Sequence, residues 1–164
     1  MLERDLETED LARAAVERLR VTEVMTAYGL ACDERDGTTL EQLFHPDATA
    51  SYDVDGDLVG GPAIARWVPG ATAHLRWQQH SLRPMRVEVA GDHATAVAYL
   101  TSHQVSFDEP GVTMMMNSRY DMELQCVDGA WRIRSLRLVV GTIEHRPVTL
   151  GSLVPDHRTE ATHV

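Results

Sequence analysis

A chain of 164 residues, 43% apolar and 24% charged, has the make-up of one globular domain with a substantial core; neither a disordered chain nor a fibrous polymer fits that composition. The 15 basic residues stand against 25 acidic ones, a formal charge of −10, with no basic cluster and no interleaved aromatics, which argues against nucleic acid as a partner. No apolar run approaches the roughly 20 residues that span a bilayer, and the start MLERDLETED is acidic where a signal peptide is basic and then apolar, so the expectation is a cytoplasmic protein with no membrane partner.

In chain order, Leu11, Ala14, Ala15, Leu19, Val24, Met25, Tyr28 and Ala31 or Cys32 recur at helical spacing. They predict a first helix from about Glu9 to Cys32, capped by Thr8 and followed by an Asp36-Gly37 turn. Thr38 with Glu41 matches a capping box for a short helix through Leu40, Leu43 and Phe44, which His45-Pro46 should stop. A short segment Ala48–Asp53, an Asp55-Gly56 turn and Gly60-Gly61-Pro62 lead into a third helix carrying Ile64 and Trp67, ended by Pro69-Gly70. Strands are then predicted at about Gln79–Val89, Ala94–Phe107, Thr113–Val127 and Ala130–Ile143, with Gly91-Asp92 and Asp128-Gly129 as hairpin turns. Helices first and strands afterwards define an α+β fold. After Glu144, Pro147, Gly151 and Pro155 interrupt any periodicity, so residues 146–164 read as a tail or lid on a domain of residues 1–145.

Period-two alternation puts Val97, Tyr99, His103, Val105 and Phe107 on one face of the second strand, so His103 is expected to point with apolar residues. In the third strand Met114, Met116, Tyr120, Met122, Leu124 and Cys126 oppose Asn117, Arg119, Asp121 and Glu123. In the first strand His80 and Leu82 have one parity and Met85, Val87 and Val89 the other, and a bulge at Pro84 would reconcile them.

The chemistry concentrates on Asp33 and His80. An acid at the C-terminus of a helix is disfavoured by the macrodipole by ~0.3–1 kcal/mol. That placement fits either a solvated turn with Glu34, Arg35 and Asp36 or a hydrogen-bonding partner. A histidine held by a carboxylate can take a proton near neutral pH while staying aimed. Tyr28 is expected to be buried with a hydroxyl that needs a partner, and His103 on an apolar face is either a satisfied core histidine or a functional one. Asp33, His80 and His103 would offer at most three scattered metal ligands, without H-x-H or H-E-x-x-H spacing. Cys32 and Cys126 lack C-x-x-C spacing and read as packing residues. Neither a metal nor a cofactor is expected; no G-x-S-x-G or P-loop occurs.

The order of these motifs resembles the SnoaL-like branch of the nuclear transport factor 2-like superfamily from about Leu11 to Val140. The pieces are Tyr28-x-x-x-x-Asp33, Leu40-x-x-Leu43-Phe44-His45-Pro46-Asp47-Ala48, the Gly60–Ile64 stretch, His80, Val87–Ala96, and the Tyr120 strand followed by Asp128-Gly129-Ala130-Trp131-Arg132-Ile133. The resemblance implies a cone-shaped α+β barrel, in which helices wrap a curved, mostly antiparallel sheet around a ligand cavity. Within the superfamily the chain is similar to the scytalone dehydratase, bile-acid dehydratase and hexachlorocyclohexane dehydrochlorinase group, which uses an Asp–His pair to remove a proton. This implies His80 as base, Asp33 as its orienter, and Tyr28 and His103 as hydrogen-bond donors to the reacting oxygen. Asn117 and Arg119, with Tyr99, Met116 and Trp67, are the expected substrate contacts, although the parity of the third strand leaves open which of its faces lines the cavity. The implied activity is a lyase or isomerase acting on a small, largely apolar cyclic or polyketide-like substrate, in a homo-oligomer, dimer or trimer. A non-catalytic ligand-binding module and the small subunit of a ring-hydroxylating dioxygenase share the fold and stand as alternatives.

Overall fold

Two hairpins decide the architecture, because each tight turn returns a long strand beside its predecessor. The computed structural model describes residues 2–53 and 56–154, with side chains from residue 8 onward. Its elements are α1 (Leu2–Glu34), α2 (Gly37–Leu43), β1 (Phe44–Ser51), β2 (Leu58–Val59), α3 (Gly61–Ala71), β3 (Leu75–Ala90), β4 (His93–Ser106), β5 (Val112–Val127) and β6 (Ala130–Pro147). Asp128 and Gly129 take φ of 52° and 78° between β5 and β6, the left-handed pair that a two-residue hairpin with matching twist requires. The six strands form one sheet in the order β2-β1-β6-β5-β4-β3, antiparallel except where β1 runs parallel to β6. The α+β reading holds, with the helices wrapped on one face of the sheet. Asp55 of the predicted turn, and the tail beyond residue 154, lie outside the described residues.

α1 buries Val21, Met25, Tyr28, Ala31 and Cys32, spaced to share one side of the helix. Its N-terminal part departs from expectation. The helix begins at Leu2, so Thr8 is interior and caps nothing, and Leu11 and Leu19 are exposed instead of facing the core. α2 is capped by Asp36, whose carboxylate accepts from the Thr39 N–H at 3.0 Å; the Thr38–Glu41 box gives way because Asp36 already precedes the first turn. Pro69 lies inside α3, near enough to its end to forfeit little of the helical ladder.

On its inner face the sheet presents Ala94, Ala96, Ala98, Leu100 and Ser102 from β4, all buried. This reverses the expected facing of that strand: Val97, Tyr99 and His103 are on the other side, and Tyr99 is half exposed. The physical reason is size. The alanines share the core with Tyr28 and Tyr120, whose rings meet edge to face at 5.5 Å, and small side chains in the middle of the sheet leave these rings their room. In β3 the pairing shifts between Pro84 and Arg86, so Met85 bulges and Leu82 and Val87 both reach the inner face.

Candidate active site

The end of α1 is built to hold Asp33. Asp36 N–H donates to Ala31 O at 2.9 Å and Arg35 N–H to Cys32 O at 3.2 Å, with Arg35 at φ 54°. That is a Schellman ending with arginine where glycine is usual, and it places Asp33 in the last turn of the helix. The strained position is held from outside: the Arg35 guanidinium donates to Leu75 O at 2.7 Å and to Thr72 O at 3.2 Å, tying the helix end to the start of β3. Gln78 adds a second tie, its side-chain amide donating to Cys32 O. Gly29, one turn before Asp33, lets α1 lie close to β3; a Cβ there would stand 2.8 Å from Leu82 Cδ1 and 3.9 Å from His80 Cβ.

Asp33 and His80 meet through two bonds. The main-chain N–H of His80 donates to Asp33 Oδ2 at 3.0 Å, and its ring Nδ1 lies 2.6 Å from Oδ1. A carboxylate only accepts, so Nδ1 carries the proton and Nε2 is left as the basic nitrogen, with no hydrogen-bond partner among the described residues. The His80 side chain is 9% exposed and that of Asp33 20%, so the pair is sheltered without being sealed.

The strand register names the neighbours of the imidazole. His80 faces Ser102, Ser102 faces Met116 and Met116 faces Ile143, a row across the inner face. Met116 therefore shares the face of His80, two strands or about 10 Å away. Ser102 is fully buried and its Oγ has no hydrogen-bond partner. Tyr28 is buried on the helix side, and its hydroxyl donates to that of Tyr52 at 3.0 Å; the Tyr52 ring stacks on Trp67 at 5.0 Å. Burial pushes Tyr28, Tyr52 and Tyr120 up from the ordinary phenol range, and the Asp33 charge adds to the rise at Tyr120. These hydroxyls stay protonated and act as donors. Burial likewise pushes the Cys32 thiol up to about 12, so it is a packing group and no nucleophile.

Four expected site residues are elsewhere. His103 pairs with Gln79, the residue before His80, and so projects from the opposite face of the sheet. There it lines a cavity of about 490 Å³ with Trp77, Val105, Thr113 and the segment from Val148 to Val154. Tyr99, Asn117 and Arg119 share that outer face around a separate groove of about 610 Å³. Asn117 accepts from Thr101 Oγ1 at 2.8 Å and donates to Thr142 Oγ1 at 3.2 Å, and Arg119 pairs with Asp121 at 2.9 Å. The alternation of side chains separates all four from His80. The residues missed are Tyr52, Ser102, Gln78 and Ile143. Tyr52 was findable, since Ala48, Ala50 and Tyr52 share a parity, and Ser102 continues the parity of the β4 alanines. Among the described residues no three His, Cys, Asp or Glu side chains gather as a metal site requires, and no helix is long and apolar enough to cross a membrane.

A curved sheet wrapped by helices, with an acid–imidazole pair on its inner face, has the cone-shaped fold of the nuclear transport factor 2-like superfamily. The chain belongs to the SnoaL-like domain family, whose model matches residues 13–137. It is 25% identical over 118 residues to Uncharacterized protein Rv2910c of Mycobacterium tuberculosis, which covers 71% of this chain and 80% of that one. It is also similar in structure to the hexachlorocyclohexane dehydrochlorinase LinA-type3 of Novosphingobium barchaimii, with a TM-score of 0.73 and 17% identity over 89% of this chain and 99% of that one. A nuclear transport factor 2-like superfamily protein of Salmonella enterica gives 0.70 and 21%, over 84% and 96%. At these identities the two structures establish the fold alone.

Proposed function

We propose that the chain is a cofactor-independent lyase or isomerase of dehydratase type, acting on a small, largely apolar cyclic or polyketide-like molecule with an acidic C–H beside a carbonyl. The observation that carries this reading is the doubly bonded Asp33–His80 pair, which leaves Nε2 bare beside Ser102 on the inner face. His80 Nε2 takes the proton from carbon, and Asp33 steadies the imidazolium that forms. The electron pair moves into the carbonyl, and an enolate develops. Tyr52 receives the Tyr28 proton and keeps its own hydroxyl hydrogen for an oxygen of the substrate, while Met116, Ile143 and Trp67 supply apolar wall. The imidazolium then returns its proton to the departing hydroxyl, giving elimination, or to a second carbon, giving isomerisation. Positioned acid–base groups contribute ~10²–10⁴-fold each, so the pair alone is a sufficient engine. The dehydrochlorinase of like fold is itself named for an elimination, which supports the reaction class.

The test is turnover of cyclic β-hydroxyketones by the wild type and by His80→Ala, with folding followed by circular dichroism. Loss of turnover in a folded variant supports the reading. A folded His80→Ala protein with full activity, or a wild type that binds such compounds and releases them unchanged, would sink it in favour of a binding module.

A further inference from the structure

The cavity around His103 on the outer face of the sheet has no part in the chemistry at His80. Trp77, Gln79, His103, Val105 and Thr113 form its floor on β3, β4 and β5, and the segment from Val148 to Val154 forms its other wall. That segment leaves the end of β6 and is tied down by the Val148 N–H, which donates to Gly111 O at 2.9 Å. Val148, Leu150 and Val154 are half-buried, whereas Thr149, Gly151, Ser152 and Leu153 are exposed, so the segment turns an apolar side toward the floor. Val105 and Thr113 are buried here, although Tyr99 on the same face of the sheet is half exposed. At about 490 Å³ the cavity has the size of a small-molecule site, and apolar walls with a few polar groups are the usual lining of one.

The polar groups of the lining identify the ligand. Gln79 and His103 are direct partners across β3 and β4, and Trp77 pairs with Val105, two residues along from His103. Side chains directly opposite stand about 5 Å apart at Cβ, and diagonal ones are within reach of an aromatic ring. Among the described residues none bonds to the Trp77 indole, the Gln79 amide or the His103 ring. An indole N–H only donates, an amide group donates twice, and an imidazole donates from one nitrogen, or from both once it takes a proton near neutral pH. No acidic side chain is in the described lining. The nearest charges along these rows are Glu144, across from Met115, and Arg146, across from Thr113, and they pair with each other at 3.0 Å. Two donors side by side match the two oxygens of a carboxylate, and such charge-assisted bonds are about twice as strong as neutral ones.

We propose that this cavity binds a small monocarboxylic acid with an apolar body, its carboxylate accepting from His103 and Gln79 and its hydrocarbon or ring lying among Trp77, Val105 and Leu150. The site stands back to back with the acid–imidazole pair, since Gln79 precedes His80 and His103 follows Ser102. The sheet therefore separates the two ligands, and each site can fill without the other. The proposal does not depend on the reading of His80 as a base.

The experiment is calorimetric titration of the full chain with benzoate and with octanoate, each beside its neutral carboxamide. Wild type should bind at least one acid about tenfold more tightly than its amide, and His103→Leu should lose that advantage. Gln79→Leu, at an exposed position, should weaken the same acid severalfold and gives an independent reading if His103→Leu does not fold. The site is located by NMR: the indole N–H resonance that Trp77→Phe removes should move as the acid binds. The proposal is overturned if neither acid binds at millimolar concentration or if acid and amide bind alike. It is equally overturned if folded His103→Leu and Gln79→Leu proteins bind the acid as wild type does, or if the Trp77 resonance stays in place while the acid binds.

Discussion

His80 and Gln79 are neighbours in the chain and belong to opposite sides of the same sheet. The inner face around His80 is lined by alanines, buried tyrosines and one acid–imidazole pair. The outer face around Gln79 carries His103, Tyr99, Asn117 and Arg119, where Asn117 bonds to Thr101 and Thr142 and Arg119 to Asp121. Both faces hold residue types that could do chemistry. What separates them is support: of His80 and His103, the inner histidine has a carboxylate fixed by a helix end against its ring.

The comparison can be broken most directly by exchange of its histidines. His80→Ala should lower kcat by about 10²–10⁴-fold, whereas His103→Ala should leave it within about threefold; equal losses would abolish the distinction. Asp33→Asn keeps the shape but loses the charge and one of the two acceptor oxygens; with its carbonyl on the His80 N–H, its amide donates to Nδ1 and reverses the tautomer, so kcat should fall about 10²-fold with little change in KM. A KM effect alone would make Asp33 a binding group.

A smaller effect sharpens the contrast by pH. The folded-state values of Tyr28, Tyr52 and Tyr120 are raised by burial, so their contribution to stability is fully present below the ordinary phenol value of about 10 and is lost as pH rises through the folded values. Urea midpoints measured upward from pH 9 should begin to fall above about 10, and Tyr120→Phe should flatten the fall. Smaller still, Ser102→Ala removes a buried unpaired hydroxyl and should be neutral or stabilising by up to about 1 kcal/mol. Asn117→Ala, on the outer face, should cost about 0.5–1 kcal/mol and leave turnover intact.

The elements and the pair were legible in the sequence, and the faces only partly so. Asp33 and His80 are 47 positions apart, and in the sequence it is the family resemblance that pairs them. The β3 bulge was also readable, because two runs of apolar parity need a phase shift to agree. His103 shares the parity of the larger β4 side chains, which the sequence pattern assigns to the core, whereas the core, crowded by the rings of Tyr28 and Tyr120, admits the alanines. Asn117 and Arg119 sit opposite the methionine face of β5, and nothing in one strand's alternation says which face a helix will cover. Leu11 and Leu19 kept helical spacing without finding a core, since periodicity reports a helix face and not what lies against it.

The bulge at Met85 also bears on a different hazard. β3 is the edge strand of the sheet and, at 16 residues, a long one, the kind of rim that recruits strands from other chains. Pro84 has no N–H to offer such a visitor, Met85 breaks the regular spacing of the bonds, and Arg83 and Arg86 flank the break with charge. The irregularity that brings Leu82 and Val87 to the same inner face thus also guards the open margin of the sheet against fibril growth.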